Sequence, residues 1–186
     1  MVESKPPSKR QRAIEAGARI FLRFGFARAT MGEIAQAAGM SRPALYLIFC
    51  GKEEVFEAVV TQWSEDSLAR IAAGLATRSS LGEKLRFACE TWCVEGVELA
   101  LANPDVRDMT ELPAVRKSYA RFEACLTDVL RQPAEHSGLG VAAADLARVI
   151  VSAMQGLKQT ARSGEEMRHL IAIQILAIER ALTRAP

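Results

Sequence analysis

Histidine is nearly absent from this 186-residue chain. There are two, His136 and His169, and neither has a recognisable nucleophile, acid or base as partner. They cannot supply a convincing four-ligand zinc site, and no glycine-rich phosphate loop appears anywhere. Catalysis is therefore not expected, and no metal or cofactor is expected either. Long apolar runs are also missing. The longest strongly apolar segment, Ile171–Ile178, falls far short of the ~20 residues of a membrane span, so no membrane partner is expected. The first residues, MVESKPPSKRQR, are charged and proline-bearing with no apolar stretch behind them. This points to a cytoplasmic protein. In that compartment four cysteines, Cys50, Cys89, Cys93 and Cys125, read as free thiols rather than a disulfide framework.

The net charge of +2 hides an uneven distribution. Residues 1–52 hold nine Lys or Arg against three Glu, a charge of +6, which leaves −4 for the other 134 residues. A basic first quarter on a mildly acidic body suits a protein whose one end meets a polyanion, and a solvated basic helix face is the plainer alternative.

Every clear periodicity is helical. Ile14, Ala18, Phe21 and Leu22 follow the spacing of one buried stripe, and Lys9, Arg10, Arg12, Arg19 and Arg23 share that first helix. Thr30-Met31-Gly32-Glu33 is a capping box that opens a short second helix. Gly39 stops it, and Ser41 with Pro43 in the first turn opens a third. A long fourth helix is marked by Val55, Phe56, Val59, Trp63, Ile71 and Leu75. A fifth starts at the Ser80–Glu83 box and ends at Asn103-Pro104. Short pieces are expected from about Asp105 and from Pro113 to Arg131, then a loop over Gln132–Gly140. Two final helices cover about Ala143–Arg162 and Glu165–Arg184, the last opened by a Ser163–Glu166 box. The fold class is all-α, with about nine helices.

A basic helix, a capped short helix, a glycine turn and a short helix starting Ser-Arg form a helix-turn-helix, whose second short helix enters the major groove. Leu45 and Phe49 are four apart and face inward. Ser41, Arg42, Pro43, Ala44, Tyr46 and Leu47 are left to meet DNA. Arg42 reads guanine, worth ~1–3 kcal/mol of discrimination, or holds a phosphate. Tyr46 donates to a phosphate, and Ala44 or Leu47 touches a thymine methyl. Lys52 at the start of the fourth helix, and Thr30 at the start of the second, are expected to clamp phosphates.

The stretch Ala38-Gly39-Met40-Ser41-Arg42-Pro43-Ala44-Leu45-Tyr46-Leu47-Ile48-Phe49, followed by Lys52-Glu53-Glu54-Val55-Phe56, resembles the signature of TetR-family transcriptional regulators. It departs at Ile48, where that family often has histidine or tyrosine. The resemblance covers about Ser8 to Phe56. It implies a helix-turn-helix domain over residues 1–51, with 1–7 as a flexible arm, and a ligand-binding and dimerisation domain over 52–186. It further implies a homodimer on a near-palindromic DNA operator, released by a small-molecule effector, with repression as the family habit.

Within that frame Leu146, Val149, Ile150, Ala153, Leu157, Ile173 and Leu176 give the two terminal helices more apolar surface than one core requires, and they are expected at the dimer interface. Trp63, Phe87, Trp92, Met109, Phe122, Cys125 and Met154, with Tyr119, are expected to line an effector cavity for a hydrophobic or aromatic molecule. The alternative for these is plain core. Cys89 and Cys93 share a helix face and, with Cys125, offer a rival site for a soft metal or electrophile. Cys50, among cations, is a candidate redox-sensitive thiol. Two other readings stay open: a constitutive or architectural DNA-binding protein without a ligand, and a cysteine-based redox or electrophile sensor.

Overall fold

The computed structural model describes residues 6–103 and 109–183. Among them are eight helices, α1 (Lys9–Arg28), α2 (Met31–Ala37), α3 (Arg42–Tyr46), α4 (Lys52–Leu75), α5 (Leu81–Ala102), α6 (Pro113–His136), α7 (Ala143–Thr160) and α8 (Gly164–Thr183), and no strand. The all-α class is as expected. The short helix anticipated from about Asp105 lies outside the described residues. Contacts divide the chain into two units, one of Met1–Trp63 with Asn103–Arg116 and one of Ser64–Ala102 with Lys117–Pro186.

In the first unit, Ser8 caps α1 by accepting from the Gln11 amide at 3.1 Å. Ala13, Ile14, Ala16 and Phe21 face the core with Ile34 and Ala35 of α2, Leu45 of α3, and Val55 and Phe56 of α4. Gly17 is required by close packing, because a β-carbon there would lie 2.6 Å from Val55 Cγ1. Phe21, Phe26 and Phe56 form a ring cluster with centroids 5.2–5.8 Å apart. Leu22, expected in the buried stripe, is instead exposed. Ala13, Ala16 and Gly17 carry the inward face round to Ile14 and Phe21, and Leu22 lies one step beyond it. Helix α1 breaks at Gly25, whose φ of 71° and ψ of 171° redirect the chain so that Phe26 returns to the core.

The second unit packs α5 most extensively against α8, with α7 beside both. Its interior is filled by Leu85, Trp92 and Val97 of α5, Phe122, Leu126 and Leu130 of α6, Ile150 and Met154 of α7, and Ile171 and Ile175 of α8. Glu179 of α8 accepts from the Gly82 amide at 2.9 Å, satisfying an end of α5 that has no intrahelical partner.

Two expectations are corrected here. The loop drawn over Gln132–Gly140 begins only after His136, with Pro133 inside the last turn of α6. So near a helix end proline removes one bond and little else, and buried Leu130 and Ala134 hold that turn on the core. The Ser163–Glu166 box is half formed. Ser163 accepts from the Glu166 amide at 3.0 Å, but the Glu166 carboxylate turns to the Arg162 amide at 2.7 Å and its guanidinium at 3.1 Å. The Ser80–Glu83 box closes in both directions, at 3.2 and 3.1 Å.

Because the dihedrals of Gly25 lie in a region essentially closed to residues with a β-carbon, Gly25→Ala is expected to lower stability by about 1–3 kcal/mol. Urea denaturation followed by circular dichroism checks this.

Candidate nucleic-acid interface

The helix-turn-helix is assembled by local hydrogen bonds. Thr30 accepts from the Glu33 amide at 3.3 Å while Glu33 takes the Thr30 amide at 3.0 Å. Gly39, at φ 64°, makes the turn, a conformation that costs glycine little. Ser41 then accepts from the Ala44 amide at 3.3 Å to start α3. Leu45 and Phe49 are buried at 0% and 1% exposure and pin this segment to the core, as their spacing predicts.

That anchoring sets what the outer face presents. Ser41, Arg42, Pro43, Tyr46 and Leu47 are exposed and Ala44 is half-buried. Leu47 is 89% exposed, the most exposed large apolar side chain described. It stands at the C-cap of α3 and is open to contact from outside. The Arg42 guanidinium lies 5.7 Å from the centre of the Tyr46 ring, which restrains its direction without using its forked donors.

The two residues expected to clamp phosphates are both engaged by partners within the fold. The Lys52 ammonium is turned inward. It donates to the carbonyls of Phe26 at 2.9 Å, Ala27 at 3.0 Å and Ala29 at 3.3 Å and lies 4.7 Å from the centre of the Phe26 ring. Its three donors are thus engaged by the end of α1, and its role is to position α4 against that end. Thr30 gives its hydroxyl to Glu33 at 2.7 Å as well as its amide, so neither donor is left for a phosphate. Sequence reasoning missed Arg19, which caps the end of α2 through the Ala37 carbonyl at 3.2 Å, and Arg10, stacked 5.2 Å from the Phe49 ring centre. Both had been counted as charge, and only their destination across the fold distinguishes them from Lys9 and Arg12.

The residues expected to line an effector cavity are divided between the two units. In the second unit Trp92 and Phe122 stack at 4.6 Å, nearly parallel, with Tyr119 edge-on to Trp92 at 6.1 Å. Met154 is buried in the same unit and Cys125 half-buried. Met109 is instead part of the first unit's core, and Trp63 is the last α4 residue of that unit. Phe87 lies under Arg78, 3.5 Å away, beside a cleft of about 480 Å³ whose acids Glu83 and Glu90 face Arg78 and Arg86.

The expected dimer face also needs one correction. Val149, Ala153, Ile173 and Leu176 are exposed and Leu146 and Leu157 half-buried, but Ile150 is buried in its own unit and cannot lie at the surface.

The cysteines give no reactive centre inside the fold. Cys89 and Cys93 are buried, and burial raises both thiols, Cys93 to about 12. Burial raises Cys125 as well. All three are therefore protonated thiols at neutral pH, the unreactive form. Among the described residues no group of three His, Cys, Asp or Glu is placed to hold a metal ion.

Residues 13–59, which span most of α1, all of α2 and α3 and the start of α4, match the family model described as bacterial regulatory proteins, tetR family. The chain is 28% identical over 137 residues to the HTH-type transcriptional activator FasR of Mycolicibacterium smegmatis, covering 70% of this chain and 61% of FasR. It is 41% identical over 63 residues to the HTH-type transcriptional regulator TtgR of Pseudomonas putida, covering 33% of this chain and 30% of TtgR. The match thus spans less than two thirds of either relative. A TetR/AcrR-family regulator from Thermobifida fusca shares the fold, with a TM-score of 0.67 at 22% identity over 90% of this chain and 96% of that one.

If Lys52 positions rather than binds, Lys52→Met weakens DNA binding but leaves the salt dependence unchanged. A lost phosphate contact would reduce the slope of log K against log salt by about 0.9 per subunit. Anisotropy titrations between low and moderate salt decide between these. For the thiols, Ellman's reagent at pH 8 is expected to react quickly with exposed Cys50 and more slowly with Cys125, and to reach Cys89 and Cys93 only after denaturation.

Proposed function

We propose that this chain, which belongs to the TetR family of bacterial regulatory proteins and is a DNA-binding transcriptional regulator, binds a near-palindromic operator as a homodimer and leaves it when a small effector binds the second unit. The observation that carries the DNA side is the outer face of α3. There Arg42, Tyr46 and Leu47 stand exposed on a helix pinned from behind by Leu45 and Phe49. Arg42 supplies forked donors for a guanine edge or a phosphate, Tyr46 a hydroxyl, and Leu47 and Ala44 apolar contact for a thymine methyl. Ser41 and Pro43 hold the start of that helix at the groove.

The dimer reading rests on α7 and α8. Val149, Ile173 and Leu176 are 59%, 52% and 53% exposed, and Ala153 and Gly156 leave room for a close approach. Two copies paired there present two α3 helices to half-sites about 34–36 Å apart, the spacing of one DNA turn. In this reading residues 1–51 form the DNA-binding domain and 52–186 the effector and dimerisation domain. Trp92, Phe122, Cys125 and Met154 are the effector candidates that lie together in the second unit. The site of action is the cytoplasm, where the operator is, and no described helix is long and apolar enough to cross a membrane. FasR carries the name of an activator and the family habit is repression, so the sign of control follows from where the operator lies relative to the promoter.

The test is fluorescence anisotropy on duplexes from the DNA flanking the gene, against a shuffled duplex, over a salt series. A preference that survives at ~0.15 M salt is expected. Equal, steeply salt-dependent binding to both duplexes would instead mark an architectural DNA-binding protein. Arg42→Ala should relax specificity at one symmetric position if it reads a base, costing about 1–3 kcal/mol there. Combining Ile173→Glu with Leu176→Glu is expected to halve the mass measured by light scattering and to weaken operator binding without unfolding the chain.

A further inference from the structure

The second unit contains a cation that has no counter-ion among the described residues. Lys158 of α7 is half-buried and turned towards α5 and α6. Its ammonium donates to the Tyr119 hydroxyl at 3.1 Å and lies 5.6 Å from the centre of that ring. On α5 it approaches Gly96, where a β-carbon would lie 3.3 Å from Nζ. The acids on the facing helix are engaged elsewhere, Glu95 with Arg70 at 3.7 Å and Glu98 with Arg168 at 3.4 Å. Among the described residues no carboxylate comes within ion-pairing distance of Lys158.

The groups around it do not neutralise it. Burial raises both Tyr119 and Cys93, so phenol and thiol stay protonated near neutral pH. For Lys158 burial favours the neutral amine, while the contacts with Tyr119 and Cys93 favour the ammonium and leave its pKa above the ordinary lysine value. Cations withdrawn from water are ordinarily paired, because an unpaired one is costly. An ammonium also has three donors, and the described residues accept from one of them. Tyr119 in turn stands edge-on to Trp92, which stacks on Phe122. A charged donor beside an aromatic layer is the pattern of a site that orients an amphiphilic anion.

We propose that Lys158 and Tyr119 form the anion-binding end of the effector site, and that the effector is a small organic acid whose carboxylate meets Lys158 while its apolar body parts the layer of Trp92 and Phe122. This rests on the effector-responsive regulator proposed above and names the chemical class of its ligand. Half-buried Lys158 gives the carboxylate a way in from solvent. Parting a closed aromatic layer supplies the structural difference between free and bound states that any effector response needs.

The experiment uses the full chain and two matched probe series: benzoate, benzyl alcohol and benzylamine, and octanoate, octanol and octylamine. Thermal shift and tryptophan fluorescence read binding. At least one carboxylate is expected to bind about tenfold or more tightly than its neutral counterpart, a preference that a charge-assisted contact supplies. Lys158→Met should abolish that preference, Lys158→Arg should retain it, and Tyr119→Phe should reduce it. Without probe, Lys158→Met should melt no lower than the unmodified chain, because it removes an unpaired charge.

A lower melting temperature for Lys158→Met would make the lysine structural and overturn the proposal. So would carboxylates that bind no better than the alcohols in both series, or a preference that persists in Lys158→Met. Operator anisotropy separates the two readings. Lys158-dependent carboxylate binding that leaves operator affinity unchanged would support the anion site and remove the effector response. Release of the operator by a neutral compound alone, unaltered by Lys158→Met, would keep the effector response and overturn the anion site.

Discussion

Every helix ends in carbonyl groups that no further turn can use, and the DNA-facing unit depends on how the end of α1 is closed. Lys52 closes it. The carbonyls of Phe26, Ala27 and Ala29 all accept from one ammonium, which stands in the first turn of α4 and so ties the start of one helix to the end of another. The same carbonyls flank the segment redirected at Gly25, where the chain abandons helical geometry. The cation so joins the start of α4 to the backbone beside the Phe21–Phe26–Phe56 cluster. The pose of α2 and α3 follows from this closure, because α2 begins two residues after Ala29 and α3 is packed on the same core.

Closing the unit from within also decides which charges remain for DNA. Arg19 is turned to the end of α2 and Arg28 to the Phe24 carbonyl, at 3.2 and 3.1 Å. Arg42 keeps its donors, because ring stacking on Tyr46 restrains it without using them. The basic excess of the first 52 residues is therefore two populations with different work. Some cations cap helices in a region with few acids, and the exposed ones face outward. Net charge alone does not say which of these cations have donors left for a further partner.

Much of this was legible in the sequence wherever the cause is local. Capping boxes at Thr30 and Ser80, the Gly39 turn, the Ser41 cap and the inward pair Leu45 and Phe49 all depend on partners within four residues, and each formed as read. What sequence reasoning misplaced depends on partners far along the chain. A lysine before a helix looks like a phosphate clamp until its three carbonyls, 23 to 26 residues earlier, are known. Met109 looked like a cavity residue and is core of the first unit. Ile150 looked like surface because amphipathic spacing cannot distinguish a helix covered on one side from one covered on two. Pro133 was read as a breaker, but the packing of Leu130 and Ala134 carries α6 past it.

The same distinction separates the two functional faces. The DNA-facing side chains are set by short-range geometry, and a sequence can display them, because caps and spacing leave little freedom over seven residues. The proposed effector end depends on convergence. Lys158, Tyr119 and Gly96 come from three helices, and none is conspicuous alone: a lysine in the last turn of α7 is what the helix dipole favours, and a tyrosine among arginines reads as packing. Their meeting changes the reading of each, because an ammonium that would serve any helix end now stands against a phenol and a thiol, with no carboxylate within ion-pairing distance among the described residues. The proposed anion-binding end therefore rests on a meeting of three helices that no local pattern in the sequence displays.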